Sequence, residues 1–111
     1  MSTLYLSLKK KPFEVMVTGE KKNEFRKPSK WIESRIFDKN GNWRNYDFVR
    51  FTNGYGKDKP FFVAEFKHTQ PCSYIYPLTM RYSNGLEVVI KKGDYRIVLG
   101  DIIEKGNLNK L

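Results

Sequence analysis

An α+β fold, a small and largely antiparallel β-barrel with two or more short flanking helices, is what this sequence predicts. Apolar residues alternate with polar ones through most of the chain, whereas helical spacing appears only after Pro12 and after Ser29. The regular strand–helix–strand alternation of a parallel sheet is missing. At 111 residues, with 40% hydrophobic and 15% aromatic side chains, the chain can bury one real core. A single domain is expected over 1–111, with its motif-bearing part at about 4–104.

Leu4-Tyr5-Leu6-Ser7-Leu8 alternates as a strand does and stops at Lys9-Lys10-Lys11. Pro12 suits the first turn of a helix, and Phe13, Met16 and Val17 at i, i+3 and i+4 form its apolar stripe. Glu14 is favourable near its start, and Gly19 stops it, giving a helix over Pro12–Thr18. Asn23–Arg26 reads as a short strand ended by Lys27-Pro28. Ser29 is an N-cap for a second helix from Lys30 to about Phe37, with Ile32 and Ile36 one turn apart facing inward. Asp38–Asn42 has the residue types of a turn. Strands follow at Phe48–Thr52 and Phe61–His68, separated by the glycine-bearing loop Asn53–Pro60. Pro71–Thr79 reads as irregular, Glu87–Ile90 as a short strand and Tyr95–Ile103 as the last one. The expected core is Phe13, Met16, Val17, Phe25, Ile32, Ile36, Val49, Phe51, Phe62, Ala64, Phe66, Ile97 and Leu99.

Twenty-one Lys and Arg against twelve Asp and Glu leave a net charge of +9, a balance that favours polyanionic partners, nucleic acid first. The basic residues are spread through the chain without a long basic amphipathic helix, so no membrane partner is expected. No signal peptide or membrane span is legible, which points to the cytoplasm, and a monomer is expected. Cys72 is the only cysteine and His68 the only histidine. An internal disulfide is thereby excluded, as is a cysteine-based zinc site; no metal and no cofactor are expected.

The most informative stretch is Thr18-Gly19-Glu20-Lys21-Lys22-Asn23-Glu24-Phe25-Arg26. If the chain is extended just after Gly19, alternation lines up Lys22, Glu24 and Arg26 on one face and anchors Phe25 in the core on the other. A carboxylate held between two cations suits the polar edge of a small planar group, with cations left for phosphate. The competing explanation is an ion pair of Glu24 with Arg26 that contributes little. Trp31, in a helical setting, suits core packing more than stacking. Tyr55 lies between two glycines, so it is the better stacking candidate, although Asn53-Gly54 and Gly56 also suit a simple hairpin turn.

Taken in order, Leu6-Ser7-Leu8-Lys9, Gly19-x-Lys21-x-x-Glu24-x-Arg26, Trp31, Arg35, Tyr46-Asp47, Asn53-Gly54-Tyr55-Gly56-Lys57-Asp58 and Leu99-Gly100-Asp101-Ile102-Ile103-Glu104 resemble an ASCH domain, the activating signal cointegrator homology domain of the PUA-like superfamily. The resemblance implies a PUA-like barrel with a cleft lined by Lys21, Glu24 and Arg26, and binding of RNA or nucleotides. Some bacterial members are similar to acetylcytidine amidohydrolases, whose motif resembles this one at Gly19, Lys21 and Arg26. They carry a catalytic threonine where this chain has Glu24, and a carboxylate is a poor nucleophile toward amides, so that mechanism does not carry over.

The expected function is therefore an RNA or modified-nucleotide binding module, with single-stranded nucleic acid among its partners. Its candidate contacts are Lys21, Lys22, Glu24, Arg26, Trp31, Arg35, Arg50, Asn53, Tyr55 and Lys57. A base would stack on an aromatic, Glu24 would accept from an exocyclic amine, and Arg26 and Lys22 would orient that carboxylate. The alternative is a small hydrolase of nucleosides or RNA, amidohydrolase-like or a ribonuclease, in which Lys21 and Glu24 would be the catalytic acid/base groups.

Overall fold

The computed structural model describes residues 2–111. Its elements run β1 (Thr3–Leu8), α1 (Lys10–Val17), β2 (Asn23–Arg26), α2 (Lys30–Ile36), β3 (Phe48–Asn53), β4 (Phe61–Pro71), β5 (Leu78–Arg81), β6 (Glu87–Ile90), β7 (Tyr95–Gly106) and a 3-10 turn, Leu108–Lys110. The helices form for the reasons the sequence gives. Ser29 Oγ accepts from Ile32 N at 3.1 Å and caps α2. α1 begins two residues earlier than expected, at Lys10, and still holds Pro12 among the leading positions whose N–H groups have no intrahelical partner. Gly19 ends α1 with φ +86, a conformation that favours glycine, and its N–H donates to Met16 O.

Five strands form one curled sheet in the order β1-β3-β4-β7-β2. β1 pairs with β3 in parallel, and the other neighbours are antiparallel. The β4–β7 ladder shifts register between Val63 and Ala64, Ala64 and Phe66, and Phe66 and His68. Such bulges bend the strands and increase their twist, which helps curl the sheet into a half-barrel. Gly106 permits the far end of this ladder, because a Cβ there would sit 2.2 Å from the Phe61 ring.

The expected barrel does not close. β1 and β2 are the two edges of the sheet and do not pair with one another. β2 pairs through all four of its residues with β7, on one side only. A side chain spans the gap instead: Arg26 Nη2, on β2, donates to Ser7 O of β1 at 2.9 Å.

The concave face of the sheet, α1 and α2 enclose a core in which Phe13, Phe51, Phe62, Val49 and Ile97 are essentially inaccessible. Leu4, Leu6 and Leu8 join it from alternate positions of β1. Every expected core residue is buried except Phe25, which is only half-buried. On β2 the buried position belongs to Glu24.

β5 and β6 form a separate two-stranded hairpin. β5 starts within the stretch expected to be irregular, and its apolar residues Leu78 and Met80 stay exposed. The hairpin tip is tied back to α1: the Glu20 carboxylate accepts from Ser83 N at 2.8 Å and from Ser83 Oγ, and Asn84 Nδ2 donates to Lys11 O at 2.9 Å. Among the described residues, no helix is long and apolar enough to cross a membrane.

Candidate functional site

The turn after α1 sets the geometry of the charged run. Lys21 N donates to Val15 O at 3.2 Å, folding the chain back along the helix before β2 begins at Asn23. Alternation therefore starts one residue later than expected. Lys22 lies outside β2 and is exposed, with its carbonyl accepting from Leu99 N. Lys21, only 3% exposed, takes the place expected for Lys22 beside the carboxylate.

Glu24 accepts from a cation on each side. Oε1 lies 3.2 Å from Lys21 Nζ, while Oε2 accepts from Arg26 Nε at 2.8 Å and lies 2.7 Å from Nη2. The side chains are 2% exposed at Lys21, 8% at Glu24 and 24% at Arg26, so this is a largely buried triad. The weak surface ion pair allowed by the sequence is thus replaced by one whose members depend on each other. Lys21 Nζ also meets Asn23 O and Met16 Sδ. Burial holds its ammonium below the usual lysine range, an effect partly opposed by the Glu24 carboxylate. Among the described residues, no buried side-chain nitrogen or oxygen lacks a partner. None of their His, Cys, Asp and Glu side chains gather in a group of three that could hold a metal.

Lys21, Glu24 and Arg26 converge on each other but line two clefts. One, of about 470 Å³, is lined by Lys21 and Lys22 together with Met16, Phe62, Leu99 and Asp101. The other, of about 630 Å³, lies between the sheet edges and is lined by Glu24 and Arg26 with Ser7, Lys9, Lys10, Asn53, Gly54 and Tyr55. The second has the chemistry of a planar polar ligand. It offers a carboxylate and a guanidinium at the edge, an amide at Asn53, two exposed lysines, and the Tyr55 ring, 85% exposed.

The remaining candidates separate. Trp31 is 49% exposed and does not pack in the core, because the inward stripe of α2 belongs to Ile32 and Ile36. Its ring lies 5.2 Å from the Arg35 guanidinium carbon. Trp31, Arg50 and Tyr55 share a depression next to the second cleft, and Arg35 lines the one beyond. Lys57 lines neither cleft but a separate depression, with Asn53, Asp58, Lys59 and Lys110. Sequence reasoning did not place Lys9 and Lys10 among the contacts, Lys9 entering only within the Leu6-Ser7-Leu8-Lys9 element and Lys10 only as part of a break after β1, and it missed the Ser7 carbonyl, which no side-chain pattern can reveal.

Compared with protein-family models, with curated proteins and with solved structures, the chain matches none.

Proposed function

We propose that the cleft between the two sheet edges binds an unpaired base of RNA or a nucleotide. The observation that carries this reading is the Glu24 carboxylate, held by Lys21 and Arg26 at the wall of a cleft whose rim carries Tyr55, Lys9 and Lys10. Tyr55 offers a stacking surface, and Lys9 and Lys10 suit the phosphate. Each carboxylate oxygen has more than one acceptor direction, so Glu24 can accept from an exocyclic amine while it stays paired. Cytosine and adenine carry that amine, whereas uracil presents a carbonyl at the corresponding position. On the same residues we propose membership of the ASCH family and a PUA-like relationship for the half-barrel, resting on Gly19-x-Lys21-x-x-Glu24-x-Arg26 and the NGYGKD and LGDIIE elements.

The hydrolase alternative needs Lys21 and Glu24 to address one substrate. The three acceptors around Lys21 Nζ occupy the three N–H donors of an ammonium, and Lys21 lines the other cleft from Glu24. Binding is the better use of this geometry. The test is calorimetric titration of cytidine and uridine 5′-monophosphates at low and moderate salt. Cytidine should bind several-fold tighter, Tyr55→Ala should weaken both, and affinity should fall as salt rises. Equal affinity for the two bases refutes base reading by Glu24, and absence of binding at low salt refutes the site.

A further inference from the structure

We infer that this cleft is one end of a track for single-stranded RNA that follows the outer face of β1 and takes at least three nucleotides. The inference rests on the base-reading cleft proposed above. Three depressions lie in a row. The Glu24 cleft shares Ser7 and Tyr55 with a depression of about 160 Å³ beside Trp31 and Arg50, and that one shares Tyr5 with a third, of about 230 Å³, beside Arg35. Alternation in β1 sends Leu4, Leu6 and Leu8 into the core and leaves Thr3, Tyr5 and Ser7 on the outside. Alternate residues of a strand are about 6.6 Å apart, the scale of one nucleotide repeat in an extended single strand.

Flat rings and cations accompany the whole row. Tyr55 is 85% exposed, Tyr5 66% and Trp31 49%, although the core holds other large aromatics that are fully buried. These three rings are therefore not needed to fill the interior, and they sit on one continuous surface. The Arg50 guanidinium carbon lies 3.8 Å from the centre of the Phe61 ring, and that of Arg35 lies 5.2 Å from the centre of the Trp31 ring. Rings that accept any base face, beside arginines that attract phosphate, form a sequence-tolerant platform for single strands. The net charge of +9 matches that partner. The track adds affinity along the strand, while the choice of base stays with Glu24.

The test is a length series: cytidine 5′-monophosphate and oligocytidylates of two, four and six nucleotides, titrated into the protein at one fixed low salt concentration. Affinity should rise at least about tenfold from the mononucleotide to the tetranucleotide. Tyr5→Thr should remove most of that gain and leave mononucleotide affinity unchanged, and Trp31→Ala should weaken the tetranucleotide at least about fivefold. A tetranucleotide that binds no tighter than the mononucleotide overturns the track and leaves the base cleft standing. A length-dependent gain that both variants leave intact comes from charge alone and also overturns it. Failure of every ligand to bind overturns cleft and track together.

Discussion

Glu24→Gln should destabilise the fold far more than loss of a surface ion pair would. The substitution keeps the size and one oxygen acceptor but removes the charge that two cations share. Lys21, with a side chain 2% exposed, cannot regain water without moving the turn that Lys21 N and Val15 O hold in place. Arg26, 24% exposed, keeps some hydration and its bond to Ser7 O. Removing one partner of a buried pair costs about 3–5 kcal/mol, and the partly wet Arg26 and the remaining Gln oxygen reduce that to about 2–4 kcal/mol. With an unfolding entropy of about 2.1 cal/mol/K per residue over 111 residues, the midpoint should fall by roughly 9–17 °C. Urea titration and thermal melting at neutral pH measure this directly. Adding Lys21→Met removes the stranded ammonium, so the double variant should recover about 1 kcal/mol or more over Glu24→Gln alone. A loss below about 0.5 kcal/mol for Glu24→Gln would mean that the triad behaves as a solvated surface pair, refuting the interdependence of its three side chains.

Phe51→Ala should cost about 3–5 kcal/mol in a urea titration, because the side chain is inaccessible and stacks on Phe62 with centroids 5.0 Å apart; a loss under about 1 kcal/mol would remove it from the core. The Tyr95 hydroxyl donates to the Glu33 carboxylate and ties α2 to β7, which pushes its pKa up to about 12 from 10.0. The stability from this bond is therefore fully present below pH 10 and lost as pH rises through about 12. In an ultraviolet titration, Glu33→Gln should bring the latest-ionising tyrosine back toward the ordinary range, and an unchanged profile would show that Glu33 does not hold it.

What the sequence determined by itself is what short-range sterics and periodicity encode. Ser29 before Ile32 specifies a cap, Gly19 after an i, i+3, i+4 stripe specifies a stop, and alternation through Phe48–Thr52 selects Val49 and Phe51 as the inward residues, because each signal depends on neighbours within one turn or one pleat. The charged run announced a cluster around Glu24 for the same reason. That Lys21 rather than Lys22 joins Arg26 around this carboxylate, and that the carboxylate faces inward, was decided only by tertiary structure. A four-residue edge strand has no long alternation to say which face turns inward, so Glu24 rather than Phe25 is buried once Lys21 and Arg26 neutralise it. Closure of the gap by Arg26 on the Ser7 carbonyl joins positions 19 residues apart, and the hairpin rests on Glu20 and Ser83, 63 residues apart. Contacts at such separation leave no local pattern, since they arise from the curl of the sheet and not from the conformational preference of any one segment.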